Sequence, residues 1–137
     1  INNLVLHRND IVILDMEAGL EHLGRGTTEG MDQFIVVIEP GARSVQTYRN
    51  VKRLAEGLGV KAVKVIANKV RDEKDEEFVR SRIPAEDFLG CVHYNPEVAE
   101  ADREGISPFG FSRAATDEIR EIKRKFDSDI VGKKAEK

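Results

Sequence analysis

The sequence predicts an α/β domain built on a mostly parallel sheet of about four strands flanked by helices. The first observation is a set of four apolar runs of strand length: IVIL (11–14), FIVVI (34–38), VKVIA (63–67) and FLGCV (88–92). Their nearly continuous apolar character is typical of strands covered on both faces. The second observation is their spacing, because the runs begin 23, 29 and 25 residues apart. That spacing leaves room for a helix and two loops between successive parallel strands.

The first run ends in an acid and enters a glycine-rich connection. Asp15 follows Leu14 directly, and residues 15–31 (DMEAGLEHLGRGTTEGM) contain Gly19 and three further glycines. Apolar residues form only a weak helical stripe here, so this connection is the least helix-like of the set. We expect it to be a functional loop.

The next two connections have helical patterns with recognisable ends. Residues 42–58 place their apolar side chains on one helical stripe, and Gly59 follows as a helix stop. Residues 73–82 are acidic early and basic late, in accord with the helix dipole, and Pro84 follows them.

Two more helices are predicted in the last third of the chain. Asn95 is expected to cap a short helix with Pro96 at its first position. After Pro108 a closing amphipathic helix is expected, and residues 128–137 are expected to fray. Its apolar stripe consists of Phe111, Ala115, Ile119, Ile122 and Phe126. We predict a single domain over residues 1–137.

Composition argues against several functional classes. The 22 basic and 25 acidic residues give a net charge of −3, so no basic excess points to nucleic acid. No apolar run approaches the roughly 20 residues that span a bilayer, so no membrane partner is expected. The single cysteine, Cys91, fits a reducing compartment, which predicts a cytoplasmic location.

Polar residues follow each predicted strand. In parallel α/β sheets, ligands bind beyond the carboxyl ends of the strands, so these residues are the candidates for chemistry. They are Asp15, Glu39, Asn68 with Lys69, and the segment His93-Tyr94-Asn95-Pro96. We expect Asp15 and Asn68 to lie side by side on the same edge of the sheet.

Asp15 has the chemistry of a Mg²⁺-nucleotide site. A carboxylate at the end of a buried strand can hold the metal directly or through a water ligand. Gly19, four residues further on, would let a backbone N–H approach a terminal phosphate. The alternative is that Asp15 only caps the following turn.

Asn68 has the chemistry of a base-recognition residue. Its amide offers a donor and an acceptor, which suits the edge of an adenine ring. The alternative is an ordinary polar strand end or an Asx-turn. The chain contains no G-x-x-x-x-G-K-[ST] phosphate loop, which argues against nucleotide hydrolysis by these residues alone.

Four segments, in this order, resemble the CooC-type ATPases, nickel-insertion accessory proteins of carbon monoxide dehydrogenase within the MinD/ParA-like P-loop NTPases. The segments are DMEAGLEHLGRG, VVIEPGARSVQTYRNVKRLAEGLGV, VIANKVRDEKDEEF and LGCVHYNPEVAEADREG. The resemblance covers residues 4–112. It implies the C-terminal part of a three-layer P-loop NTPase sandwich.

The resemblance also implies ligands and partners. These are ATP or ADP with Mg²⁺, a second copy of the chain in a homodimer, nickel as cargo, and carbon monoxide dehydrogenase as client. By match to the family's motifs, Asp15 is the acid near Mg²⁺, acting through water, and Gly19 lies near the γ-phosphate. Asn68 contacts adenine with Lys69 beside it. The segment Tyr94-Asn95-Pro96 lies against the base.

Two elements of the resembled family are absent from these residues. One is the phosphate loop with its lysine, and the other is a Cys-x-Cys metal motif; the family carries both N-terminal to the first run. The chain is therefore expected to be a C-terminal half that neither hydrolyses ATP nor holds nickel alone. Two alternatives stay open: a fragment of another MinD/ParA-type positioning or partition ATPase, and a non-catalytic interaction module.

Overall fold

The computed structural model describes residues 11–16, 31–60 and 62–135, with side chains of the last helix through Asp129. Three strands and four helices follow in chain order. They are β1 (Gln33–Ile38), α1 (Ala42–Gly57), β2 (Ala62–Val70), α2 (Glu73–Arg80), β3 (Phe88–His93), α3 (Pro96–Arg103) and α4 (Arg113–Ala135).

The strands form one parallel sheet in the order β1-β2-β3. Strand β1 pairs with β2 from Gln33 opposite Ala62 to Ile38 opposite Ala67. All three predicted runs from residue 34 onward are strands, and helices connect them. The predicted α/β class with a parallel sheet is therefore confirmed.

Helix α1 packs its apolar stripe onto one face of this sheet. The shared core consists of Val45, Tyr48 and Ala55 from α1 with Val63, Val65 and Ala67 from β2. Lys64 lies between two of these strand residues, and its ammonium reaches Asp129 of α4 at 2.5 Å. Because neighbouring strand residues point to opposite faces, α4 covers the face opposite α1.

Helix α4 approaches β3 closely. A Cβ added at Gly90 would lie 2.9 Å from Cγ1 of Ile122, which is closer than real side chains pack. Glycine at position 90 thus lets the helix settle on the sheet. This packing fixes the start of α4 beside the carboxyl end of β3.

The end of α1 and the start of α3 follow the predicted signals, and α2 has a cap at Asp72 that was not predicted. Helix α1 stops before Gly59, which has a φ of 77°. Asp72 caps α2 by accepting a hydrogen bond from the N–H of Asp75 at 2.9 Å. Asn95 caps α3 by accepting from the N–H of Glu97 at 2.8 Å, and Pro96 occupies the first position.

The prediction of a strand at residues 11–14 was wrong for the described structure. Residues 11–16 have no regular secondary structure, and Ile13 is 86% exposed. A strand is stabilised by its ladder to a neighbour, and in the described part of the chain no strand pairs with this run. An apolar run of strand length is therefore not sufficient to predict a strand.

The end of α4 also differs from expectation. Residues 128–135 continue the helix, where fraying was expected. One ion pair reaches this part, Lys64 with Asp129 between sheet and helix, and the pair of Lys123 with Asp127 lies on the helix surface just before it. Of the predicted stripe, Ala115 and Ile122 are buried, whereas Ile119 is exposed and Phe111 precedes the helix.

Candidate functional site

The loops that follow β2 and β3 lie side by side at the carboxyl edge of the sheet. Val70, at the end of β2, pairs with His93, and the N–H of Tyr94 donates to the carbonyl of Val70 at 2.8 Å. The structure thus brings Asn68 and Lys69 next to the segment that begins at Tyr94. This is the adjacency that a shared binding site needs.

A bulge marks the end of β2. Asn68 lies opposite Val92 and Val70 lies opposite His93, so Lys69 is an extra residue in the ladder. Its φ of 55° is left-handed, which is uncommon for a residue with a side chain. Such a conformation costs about 1 to 3 kcal/mol and persists where surrounding structure imposes it. The bulge therefore lies directly beside Asn68, the residue predicted to contact the base.

Lys69 connects the ends of two strands. Its ammonium lies 2.6 Å from Oε1 of Glu39, the residue that follows β1. Both side chains are more than half exposed, so the pair adds little stability. Glu39 is the strand-end residue that the sequence placed on this edge, and the structure shows that it pairs with Lys69.

The amide of Asn68 is only partly used by the protein. Its oxygen accepts a hydrogen bond from the N–H of Lys69 at 3.0 Å, and its nitrogen has no hydrogen-bond partner among the described residues. This contact reaches only the next residue, so it is not the Asx-turn that the sequence left open, in which the oxygen would accept from the N–H two residues on. An amide oxygen has two lone pairs, so the group still offers a donor and a second acceptor to a ligand.

Tyr94, Asn95 and Pro96 have different environments. The Tyr94 side chain is 54% exposed, which leaves the ring free to contact a ligand. Asn95 uses both ends of its amide: the oxygen caps α3, and Nδ2 donates to Oγ of Ser112 at 2.8 Å. Pro96 opens α3. Asn95 is thus committed to holding the loop, whereas Tyr94 is available.

Two residues that hold this loop were missed by sequence reasoning. Glu118 of α4 accepts from the backbone N–H of His93 at 2.9 Å, and its other oxygen lies 2.6 Å from Nδ1 of His93. Ser112 accepts from Asn95 as described above. Both are distant in sequence and lie in segments whose polar residues resemble an ordinary solvated surface. The only available signal was a histidine at a strand end.

A buried polar cluster lies at the other end of β3, away from this edge. The Tyr48 hydroxyl donates to Oδ2 of Asp87 at 2.5 Å, and Lys52 pairs with the same oxygen. Burial, and secondly the hydrogen bond to Asp87, raises the pKa of Tyr48 to about 12. The hydrogen bond to Asp87 raises the pKa of Lys52. These groups join α1 to the start of β3 and do not reach the candidate site.

Cys91 is not an activated nucleophile. Burial, with a smaller contribution from Glu76, raises the pKa of its thiol to about 11. The protonated thiol therefore predominates near neutral pH. An inert packing role is typical of a cysteine within an apolar strand such as β3.

Of the two residues predicted on the phosphate side of the site, only Asp15 lies within the described residues. Asp15 is exposed at the end of the segment 11–16, while Gly19 lies outside the described residues. Within the described ranges, no group of three or more His, Cys, Asp or Glu side chains is arranged to hold a metal ion. None of the helices described is both long and apolar enough to cross a membrane.

Comparison with known proteins gives three informative relatives. The chain is 39% identical over 122 residues to the carbon monoxide dehydrogenase accessory protein CooC of Rhodospirillum rubrum, covering 89% of this chain and 46% of that protein. It is 42% identical over 125 residues to an uncharacterized ATP-binding protein of Methanocaldococcus jannaschii, covering 89% and 48%. A second such protein of that organism is 39% identical over 100 residues, covering 71% and 40%.

The chain thus spans about half the length of the relatives it matches. No family model matches it. The resemblance to CooC-type proteins, predicted from four sequence segments, is confirmed.

Proposed function

We propose, from this similarity to CooC and to ATP-binding proteins, that the chain forms the base-contacting side of an ATP site in a CooC-like accessory protein. The observation that carries the proposal is the adjacency of the two loops, in which Tyr94 donates to Val70 beside the Asn68–Lys69 bulge. A relative named for ATP binding matches 89% of the chain at 42% identity. The similarity supports ATP binding, and the geometry favours this edge of the sheet as the place for it.

Asn68 is the proposed base-reading residue. Its amide nitrogen is a donor with no partner among the described side chains, and adenine presents a ring nitrogen that accepts such a bond. Tyr94 offers an exposed ring for stacking, which is worth about 1 to 3 kcal/mol per base in other proteins. Lys69 and Pro96 flank these groups. The available groups fit a planar, hydrogen-bonding ligand.

Asp15 and Gly19 are the proposed contacts on the phosphate side. Asp15 would hold Mg²⁺ through a water ligand, and its exposed carboxylate is compatible with that role. When bound, Mg²⁺ would neutralise charge on the β- and γ-phosphate oxygens. Gly19 would allow a backbone N–H close to the γ-phosphate.

The complete function is proposed to need polypeptide beyond these residues. No G-x-x-x-x-G-K-[ST] loop occurs in the sequence, so the phosphate cradle has to come from elsewhere. We propose that the chain is the C-terminal half of the protein and acts as a homodimer in the cytoplasm. Its proposed client is carbon monoxide dehydrogenase, with nickel as cargo.

Measuring ATP affinity tests this proposal. The chain alone is compared with a chimera that joins it to the part of the Rhodospirillum rubrum CooC outside the matched region. We expect weak binding by the chain alone and tight, Mg²⁺-dependent binding by the chimera. A chimera that folds but binds no better than the chain would refute the proposal.

Asn68→Ala in the chimera tests the base contact. Loss of one neutral hydrogen bond should weaken ATP binding about three- to tenfold. Asn50→Ala is the matched control, because Asn50 lies on helix α1 and accepts from Gln46 at 3.0 Å. Equal effects of the two substitutions would remove Asn68 from the site.

A second candidate, an interaction module, is favoured by one observation. Ile35 and Val37 of β1 are 45% and 60% exposed on the face that α1 does not cover. Within the described sheet β1 is an edge strand, and exposed aliphatic side chains on such a strand favour packing against further polypeptide. Gel filtration of the chain distinguishes the cases: self-association without ATP binding supports the module, whereas a monomer that binds ATP supports the first proposal.

A basic surface for DNA or membranes has less support. Three of the basic residues described on α4 pair with acids on the same helix: Arg120 with Asp117, Lys123 with Asp127 and Arg124 with Glu121. Their charges are locally balanced, as on an ordinary solvated helix. Retention of the chain on DNA or on anionic vesicles at physiological salt would reverse this view.

A further inference from the structure

The loop that carries Tyr94 is held by a series of hydrogen bonds. The proposed function assigns no role to these bonds. The series runs from Asn95 to Ser112, from Ser112 to Thr116, and from Thr116 back to Gly110. The last three residues belong to the turn before α4 and its first turn. The base-contacting loop is therefore attached to a different helix from the one that it begins.

Ser112 is the centre of this series. It is fully buried, with 0% of its surface exposed. Its Oγ accepts from Nδ2 of Asn95 at 2.8 Å, and its carbonyl accepts from Oγ1 of Thr116 at 2.7 Å. Thr116 in turn accepts from the N–H of Gly110 at 3.1 Å. The Ser112 hydroxyl also accepts from the N–H of Ala115 in α4 at 3.4 Å, so it has partners on both sides and fixes their relative position.

Asn95 transmits that position to the loop. Because its oxygen caps α3 and its nitrogen reaches Ser112, its side chain has one orientation that satisfies both ends. Tyr94 precedes it, and the Tyr94 N–H is fixed on Val70 at 2.8 Å. Two consecutive residues are thus attached to β2 and α4, and the exposed ring lies between these attachments.

We propose that Ser112 is a positioning residue for the nucleotide base. It acts through Asn95 to hold Tyr94 ready to stack, and neither Ser112 nor the Asn95 side chain contacts the base. This inference rests on the proposed function. A loop ordered before binding loses less conformational entropy when the ligand arrives, which favours affinity.

The experiment uses adenosine, because it carries the base without phosphates. Backbone amide NMR shifts are followed in the chain during an adenosine titration. In the wild type we expect shifts at Asn68 and Tyr94. In Ser112→Ala we expect about three- to tenfold weaker binding, from the entropy of ordering a released loop, with the remaining shifts confined to Asn68.

Two control variants and a second Ser112 variant separate positioning from general destabilisation. Ser107→Ala removes a hydroxyl from the same turn, which among the described residues accepts from the N–H of Phe109 at the surface, and should leave adenosine binding unchanged. Val79→Ala removes buried side-chain volume from α2 and should lower stability without altering the Tyr94 shifts. Ser112→Cys keeps nearly the same volume with a weaker acceptor, so it carries the test if Ser112→Ala does not fold.

The outcomes distinguish this inference from the proposal beneath it. Absence of adenosine shifts at both Asn68 and Tyr94 in the folded wild type would overturn both. Wild-type shifts that persist, with unchanged affinity, in a folded Ser112 variant would overturn only the role of Ser112. Loss of the Tyr94 shifts in Val79→Ala as well would show that Ser112 acts through stability alone, which also overturns the inference.

Discussion

The Tyr48 hydroxyl is predicted to make the fold sensitive to alkaline pH. The side chain is only 2% exposed, and its hydroxyl donates to Asp87 at 2.5 Å. Burial opposes formation of the phenolate, and the neighbouring carboxylate opposes it further, so the pKa is raised from 10.0 to about 12. The perturbation is a rise in pH from about 9 to about 12, across the ordinary tyrosine range.

The direction and the size of the stability change follow from the difference in the Tyr48 pKa between the folded and unfolded chain. Tyr48 holds its proton more tightly in the folded chain than in the unfolded chain, so its stabilising contribution is complete below pH 10. It is lost as pH rises from 10 to about 12. At about 1.4 kcal/mol per pH unit, the loss amounts to about 2 to 3 kcal/mol of unfolding free energy. Lys52 acts in the same direction, because its pKa is also raised by Asp87.

Urea unfolding across this pH range measures the effect. Tyr48→Phe lacks the titrating group, so it should start about 1 kcal/mol less stable but lose less stability above pH 10. In Tyr94→Phe only Tyr48 remains among the two tyrosines, so tyrosinate absorbance reports its ionisation directly. Equal alkaline losses in wild type and Tyr48→Phe, or ionisation of Tyr48 in the folded Tyr94→Phe protein at pH 10, would refute the reasoning.

Three further stability predictions can be checked by the same unfolding assay. Gly90→Ala should cost about 1 to 3 kcal/mol by overpacking against Ile122, and Ile122→Ala should relieve part of that loss in a double-mutant cycle; strict additivity would contradict the close contact. Asp72→Ala should cost about 1 kcal/mol through loss of the α2 cap, while Asp72→Asn should cost less; equal losses would contradict capping. Lys69→Gly should be more stable than Lys69→Ala by about 1 kcal/mol, because glycine adopts the positive φ without strain; the reverse order would contradict strain at the bulge.

The elements that the sequence predicted correctly are those with local signals. Strand β1 follows from a run of β-branched residues, and the helix stop follows from glycine at position 59. The start of α3 follows from Asn95 before Pro96. In each case the physical cause lies within a few residues of its effect, so it could be read without knowing the fold.

The features that escaped prediction depend on distant partners. Residues 11–14 have the composition of a strand, but a strand exists only where a neighbour pairs with it. The contact of His93 with Glu118 joins residues 25 apart, and the contact of Asn95 with Ser112 joins residues 17 apart. Hydrophobic periodicity carries no information about which polar side chains will meet across elements.

Lys69 has a backbone conformation that is unfavourable for a lysine, and it lies at the candidate site. A left-handed conformation costs a non-glycine residue about 1 to 3 kcal/mol, whereas an exposed ion pair such as Lys69 with Glu39 contributes about 0 to 1 kcal/mol. The pair therefore does not offset the strain, and folding stability alone does not explain a lysine at this position. Strained residues of this kind cluster at functional sites. The strain lies beside Asn68, at the edge of the sheet that the proposed function assigns to the nucleotide base, so it supports that assignment independently of the sequence comparisons.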